Sequence, residues 1–262
     1  MVAMLLAGSP EAPPAVLLHG YSGDFLTWQF QIGALARHFR VVALDLPGHG
    51  QSESLPDAGF WRDMVPWLGA VLAELGLHRP HLIGHSLGAR VALGLAESGN
   101  APVSLSLIAC AGISRSYDFA FLRSLASIEN LDDALACTAR LFGDAAIDRD
   151  RFARALFQKL SPAPARAALA AYLTANFADG KLLPTVSVEW PRIACPVQLI
   201  WGRDDTVVEA PPPDWLPPGA PFHWLDRVGH MPHVAAPDAV NRLLREFCLE
   251  AQAQVSSVAA QE

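Results

Sequence analysis

Gly84-His85-Ser86-Leu87-Gly88 constrains this chain more than any other five residues. An apolar run, His81-Leu82-Ile83, leads into it, and a helix-forming run, Ala89-Arg90-Val91-Ala92-Leu93, leads out. Glycines on both sides of Ser86 let the backbone turn sharply between a buried strand and a helix, which presents the serine hydroxyl at the tip of the turn. A plain glycine-rich turn with a surface serine has the same spelling. The flanking strand and helix therefore carry the reading.

The rest of the chain repeats that alternation. Short apolar runs at Ala15–His19, Val41–Leu44, His81–Gly84, Ser104–Ala109, Val197–Trp201 and Phe222–Leu225 predict strands. Most are apolar at successive positions, as strands buried on both faces of a parallel sheet are. Helical patterns at Phe30–His38, Phe60–Leu75, Ala89–Glu97 and Asp238–Glu250 separate them. This is the pattern of an α/β domain, a mostly parallel sheet flanked by helices. The interval 114–189 breaks the rhythm with four helical patterns, Phe119–Ile128, Leu131–Leu141, Asp150–Leu160 and Ala163–Asn176, and no convincing strand. It predicts a helical lid inserted into a core made of residues 1–113 and 190–250. Residues 251–262 are small and polar, without periodicity, and are expected to be disordered.

Composition narrows the partners. The chain has 262 residues, 52% of them hydrophobic and 17% charged, with a net charge of −7. That gives a sizeable core and no basic footprint, so nucleic acid is not an expected partner. No run is long enough for a membrane span. The apolar start, Met1–Ala7, lacks a basic leader and is cut by Gly8-Ser9-Pro10, which fits an edge strand better than a signal peptide. The four cysteines, Cys110, Cys137, Cys195 and Cys248, are scattered without zinc spacing and read as free thiols in a cytoplasmic protein. No metal or other cofactor is expected, and the chain is expected to act as a monomer or homodimer.

A serine hydroxyl is a weak nucleophile until a base takes its proton, and the base must be oriented by a third group. Two later strands are followed by loops that supply these groups. Gly202-Arg203-Asp204-Asp205 follows Val197–Trp201, and Val228-Gly229-His230 follows Phe222–Leu225. Either aspartate could be the acid. His230 is preferred as base over His233, three residues on, and over His85, which is read as a neighbour of the serine. The loop His19-Gly20-Tyr21-Ser22-Gly23 follows the first predicted core strand. The backbone N–H of Leu87, just after the nucleophile, is one donor for an oxyanion.

In the order Ser86, Asp, His230 the chain resembles the α/β-hydrolase superfamily, and Asp45-Leu46-Pro47-Gly48-His49-Gly50-Gln51-Ser52 adds its D-x-P-G-x-G-x-S loop. The resemblance implies that fold, with Asp205 as the acid through G-x-x-D and the Tyr21 N–H as the second oxyanion donor. Leu105–Gly112 and Val240–Leu244 look most like the hydrolase-type domain of acetoin dehydrogenase E2-like proteins. The implied activity is cleavage of a small-molecule ester, most simply by a carboxylesterase acting on small to medium apolar acyl groups. Carbon–carbon hydrolases and the menaquinone-pathway synthase share the fold, and so do non-catalytic ligand receptors. An arginine in the place of Arg90 belongs to the anionic-substrate pocket of that synthase; here Arg90 reads equally well as pairing with a carboxylate at the helix edge. Within the lid, Phe119 and Phe142 are expected to line the acyl pocket.

Overall fold

The computed structural model describes residues 1–55, 61–114, 116–179, 181–182 and 188–259. Its strands are β1 (Met4–Ala7), β2 (Pro14–Leu18), β3 (Arg40–Leu44), β4 (His81–His85), β5 (Ser104–Ile108), β6 (Phe177–Ala178), β7 (Lys181–Leu182), β8 (Val197–Gly202) and β9 (Phe222–Leu225). Seven of them form one sheet in the order β1-β3-β2-β4-β5-β8-β9, and β6 and β7 pair separately. Within the large sheet only β1 is antiparallel, against β3.

The continuous apolar runs have a direct cause. Along β2, Val16 and Leu18 face one layer while Ala15 and Leu17 face the other, and all four are fully buried. The first layer holds α2 (Met64–Glu74) and α3 (Leu87–Glu97), whose Leu68 and Val91 join the cluster. The second holds Trp28, Leu35 of α1 (Gln29–Leu35), and Val240, Leu244 and Cys248 of α9 (Pro237–Ala259). With helices on both sides no strand face needs to be polar. Each fully buried aliphatic side chain contributes about 1.5–3 kcal/mol relative to exposure. The expected start of the second helix at Phe60 lies outside the described residues.

Between β5 and β8 the chain forms α4 (Phe119–Leu125), α5 (Leu131–Phe142), α6 (Arg149–Leu160) and α7 (Ala163–Asn176). Asp118, Asn130 and Asp148 start the first three, each side chain accepting a backbone N–H of the first turn. Their apolar faces, including Phe121, Ala134, Ala153 and Leu169, join the core cluster of the α2–α3 layer. Four helices stand where the sequence predicts helical patterns, but the interval also holds the β6–β7 pair, whose two-residue strands are too short to leave an apolar run.

The tail differs as well. Residues 251–259, expected to be disordered, continue α9. Alanine and glutamine favour helix, and this last stretch touches the core only lightly, so it carries no long apolar stripe. Ala251 is buried, and Gln252 Oε1 accepts a hydrogen bond from His81 Nε2 at 3.2 Å while His81 Nδ1 meets Ser104 Oγ at 2.8 Å. Burial pushes the His81 pKa down to about 4. A chain ending at Glu250 is expected to lose roughly 1–2 kcal/mol, or about 3–8 °C in Tm. Thermal unfolding followed by circular dichroism checks this; an unchanged Tm would show that the added turns contribute nothing.

Candidate active site

The strands β2, β4, β8 and β9 point their C-terminal ends at one place. Ser86 stands there between β4 and α3 with φ 49° and ψ −111°. A non-glycine residue in this conformation is strained by about 1–3 kcal/mol, so its surroundings must hold it. Ser86 N–H donates to Ile108 O at 2.9 Å, and Ser86 O accepts from Arg90 and Ala111 N–H at 3.1 Å each. The flanking glycines are sterically required. A Cβ on Gly84 would come within 2.4 Å of Ala89 Cα, and one on Gly88 within 2.2 Å of Leu18 O.

His230 follows β9 and Asp205 follows β8. His230 Nδ1 donates to Asp205 Oδ2 at 2.8 Å, both side chains being almost fully buried. The bond fixes the tautomer and leaves Nε2 to accept a proton. Asp205 Oδ1 accepts from the N–H groups of Val207 (2.9 Å) and Val208 (3.0 Å). Burial alone would raise its pKa, but the His230 charge, the His230 hydrogen bond and those two N–H donors outweigh it and hold the carboxyl below its usual range. Asp204 is placed elsewhere: its N–H donates to Val228 O at 3.0 Å and its Cβ lies beside Gly143.

Gly20 brings the loop after β2 against Ser86, since a Cβ added there would sit 3.1 Å from Ser86 Cβ. Tyr21 comes next, and its hydroxyl donates to Leu169 O of α7 at 3.0 Å. Leu87 opens α3, so no preceding helical turn takes its N–H. His19 braces this loop: Nδ1 donates to Gly20 O at 2.8 Å, and Nε2 accepts from Leu46 N–H at 2.9 Å. Burial and the neighbouring His49 hold its pKa well below the usual value, as a neutral ring with one donor and one acceptor requires. Asp45 in turn spends its carboxylate on Phe25 N–H (2.7 Å) and Gln51 N–H (2.8 Å). A Cβ at Gly50 would come within 2.1 Å of that carboxylate. The 45–52 loop thus supports the site through the Leu46 N–H and the Asp45 carboxylate.

Ser86, His230 and Tyr21 line a cavity of about 660 Å³, walled by Phe121, Leu122, Leu125, Leu141 and Phe142 of the insertion and Val234 of the core. Two sequence expectations need correcting. Phe119 does not line this cavity, because its ring packs on Phe177 with centroids 5.1 Å apart. Arg90, a pocket residue in one of its two readings, does not line it either: over Gly112 it pairs with Glu97 at 2.9 Å, as the other reading has it. The sequence reading missed Asp24 and Lys159, an ion pair of 2.9 Å that joins the loop after β2 to α6 at the cavity wall, with Arg151 also lining it. Nothing local signals a pair so distant in sequence. Among the described residues no cluster of His, Cys, Asp and Glu could hold a metal ion, and no helix is long and apolar enough to cross a membrane.

Residues 15–243 match the family model of the alpha/beta hydrolase family. The chain is 32% identical over 254 residues to the dihydrolipoyllysine-residue acetyltransferase component of the acetoin cleaving system of Pseudomonas putida, covering 92% of this chain and 64% of that protein. It is 26% identical over 245 residues to the (E)-2-((N-methylformamido)methylene)succinate hydrolase of Acinetobacter baylyi, covering 90% of each. Among solved structures it resembles a putative lipase from Acinetobacter baumannii, with a TM-score of 0.83, 23% identity, and 97% of this chain and 89% of that one covered.

The two aspartates are separable by experiment. Asp205→Asn keeps the shape but favours the wrong His230 tautomer, and kcat is expected to fall by about 10³–10⁴. Asp204→Asn is expected to stay within about threefold of the parent. Steady-state kinetics on any accepted ester decides, and the reverse pattern would move the acid to Asp204.

Proposed function

This chain belongs to the alpha/beta hydrolase family, and we propose that it is a cofactor-independent serine hydrolase, most simply a carboxylesterase. The observation that carries the proposal is the His230–Asp205 bond of 2.8 Å beside a serine held on a strained strand-to-helix turn. Ser86 Oγ would attack the ester carbonyl carbon as His230 Nε2 takes its proton. The resulting oxyanion would be met by the N–H groups of Leu87 and Tyr21, each such donor being worth about 10²–10³ in rate. His230 would then protonate the leaving alcohol, and water activated by the same ring would release the acid from the acyl-enzyme. Asp205, held ionised, would orient the ring and stabilise its charged form.

Small to medium acyl groups suit a cavity of this volume and apolar wall. The insertion would act as the lid that encloses them. A second reading rests on Arg151 and Lys159, both of which line the same cavity. They favour a substrate that also bears an acid group, and the name of the Acinetobacter baylyi relative places a succinate among the substrates of that protein. The P. putida relative is longer, this chain spanning only 64% of it, so an acyl-transfer role belongs to the rest of the proposal only if a carrier is found.

Ser86→Ala is expected to abolish turnover of p-nitrophenyl esters with Tm preserved, and a fluorophosphonate probe is expected to label Ser86 in the parent protein alone. Absence of a native-state adduct would replace catalysis with a ligand-receptor role. In an ester panel, preference for neutral short chains supports the first reading. Preference for esters bearing a free carboxylate supports the second.

A further inference from the structure

His85 does more than precede the nucleophile. Its Nε2 lies 2.8 Å from the main-chain oxygen of His230. A carbonyl can only accept, so Nε2 carries the proton and Nδ1 is bare. Nδ1 is buried without a partner. It faces the oxyanion-side loop, where a Cβ on Gly20 would come within 2.7 Å of it. The ring sits 4.9 Å from the His230 ring and 4.6 Å from the His233 ring, and His233 in turn packs on Trp28 at 4.5 Å. His85 is thus fixed on four sides, by β4, Gly20, His230 and the His233–Trp28 stack.

The backbone on either side of His230 is anchored through its neighbours. Gly229 N–H donates to Phe142 O at 3.2 Å, and Val228 O accepts from Asp204 N–H at 3.0 Å. Both sit before the base; after it, Met231 O accepts from Val234 N–H at 3.1 Å and Ala235 N–H at 2.9 Å, and His233 O accepts from Gln31 Nε2 at 2.8 Å. Among the described residues, the bond from His85 is the one that grips the main chain of His230 itself, and it comes from the residue adjacent to Ser86. One side chain therefore couples the base's main chain to the nucleophile's strand, setting their separation independently of the Asp205 bond, which sets the ring's rotation.

We propose that His85 is a positioning residue of the hydrolytic site, holding the His230 backbone by an Nε2–H donor so that the base stays in register with Ser86. The role rests on the serine-hydrolase reading above. It requires the ring to stay neutral beside a base that becomes cationic, and burial, with the nearby His230 adding to it, pushes the His85 pKa down to about 3.

Two amides of opposite reach test this without removing polarity from the site. Glutamine can place an N–H near the Nε2 position, whereas asparagine reaches only as far as Nδ1. His85→Gln is expected to keep kcat within about threefold of the parent. His85→Asn is expected to lower kcat by roughly ten- to hundredfold, the scale of a small misplacement of catalytic groups, with KM little changed. Fluorophosphonate labelling of Ser86 should slow in parallel. Tm values within a few degrees of the parent for both variants mark the loss as one of position. Equal kcat in the two variants, or a fall in both with Tm intact, would overturn the positioning role while the parent's activity leaves the hydrolase reading standing. No labelling or turnover in the parent itself would instead remove the reading on which the role rests.

Discussion

The left-handed backbone of Ser86 at φ 49° is the constraint that the other parts of the site answer to. Strain of this kind survives only where neighbours over-determine it. Here three backbone hydrogen bonds and two obligatory glycines do so. Gly88 lets α3 lie against the carbonyls of Leu18 and His19. The same close approach brings the end of β2, and hence Tyr21, beside the helix N-terminus where Leu87 stands. The turn that exposes the serine thereby sets the two N–H groups proposed to receive the oxyanion.

The polar interior around this turn is built mostly from uncharged histidines. His19, His49, His85 and His233 are buried, and each is pushed below its usual pKa chiefly by burial. A neutral imidazole offers one donor and one acceptor on a rigid ring, so it can brace a backbone without adding a charge that needs hydration. The charged groups include Asp205 and, at the cavity wall, Asp45, Arg151 and the Asp24–Lys159 pair. Keeping the surrounding rings neutral leaves the Asp205 carboxylate as the nearest partner for a cationic His230.

Much of this was legible in the sequence because it is local. The strand runs follow from two-sided burial, and the serine turn follows from sterics within five residues. Asp204 and Asp205 could be separated from the sequence only by resemblance, because both occupy the same loop; the structure separates them by where the Val207 and Val208 N–H groups point. Phe119 was misplaced, and the two readings of Arg90 stayed open, for a related reason. Helical spacing says that two residues share a face, but not whether that face meets the cavity or the packing behind it. Arg90 turned toward Glu97, and Phe119 toward Phe177. The tail failed differently, since a helix that touches the core at Ala251 and Gln252 shows little apolar periodicity.

The division between core and insertion follows from how each is held. The core residues of the site are fixed by glycine contacts and backbone hydrogen bonds, which leave little freedom to vary. Phe121, Leu122, Leu125, Leu141 and Phe142 reach the cavity from helices that need only an apolar face and a cap. Such positions accept changes of size at modest cost, provided the packing volume is kept. Lys159 is the exception among them. Its ammonium pairs with Asp24, whose other oxygen accepts the Leu26 N–H at the start of the turn after Gly23. A change at Lys159 would therefore reach the loop that carries Tyr21, whereas a change at Phe142 would alter mainly the shape of the acyl space. The insertion thus meets the loop after β2 twice, through this ion pair and through Tyr21, whose hydroxyl donates to Leu169 O and whose ring packs on Tyr172, so the cavity wall and the proposed oxyanion donors are not independent.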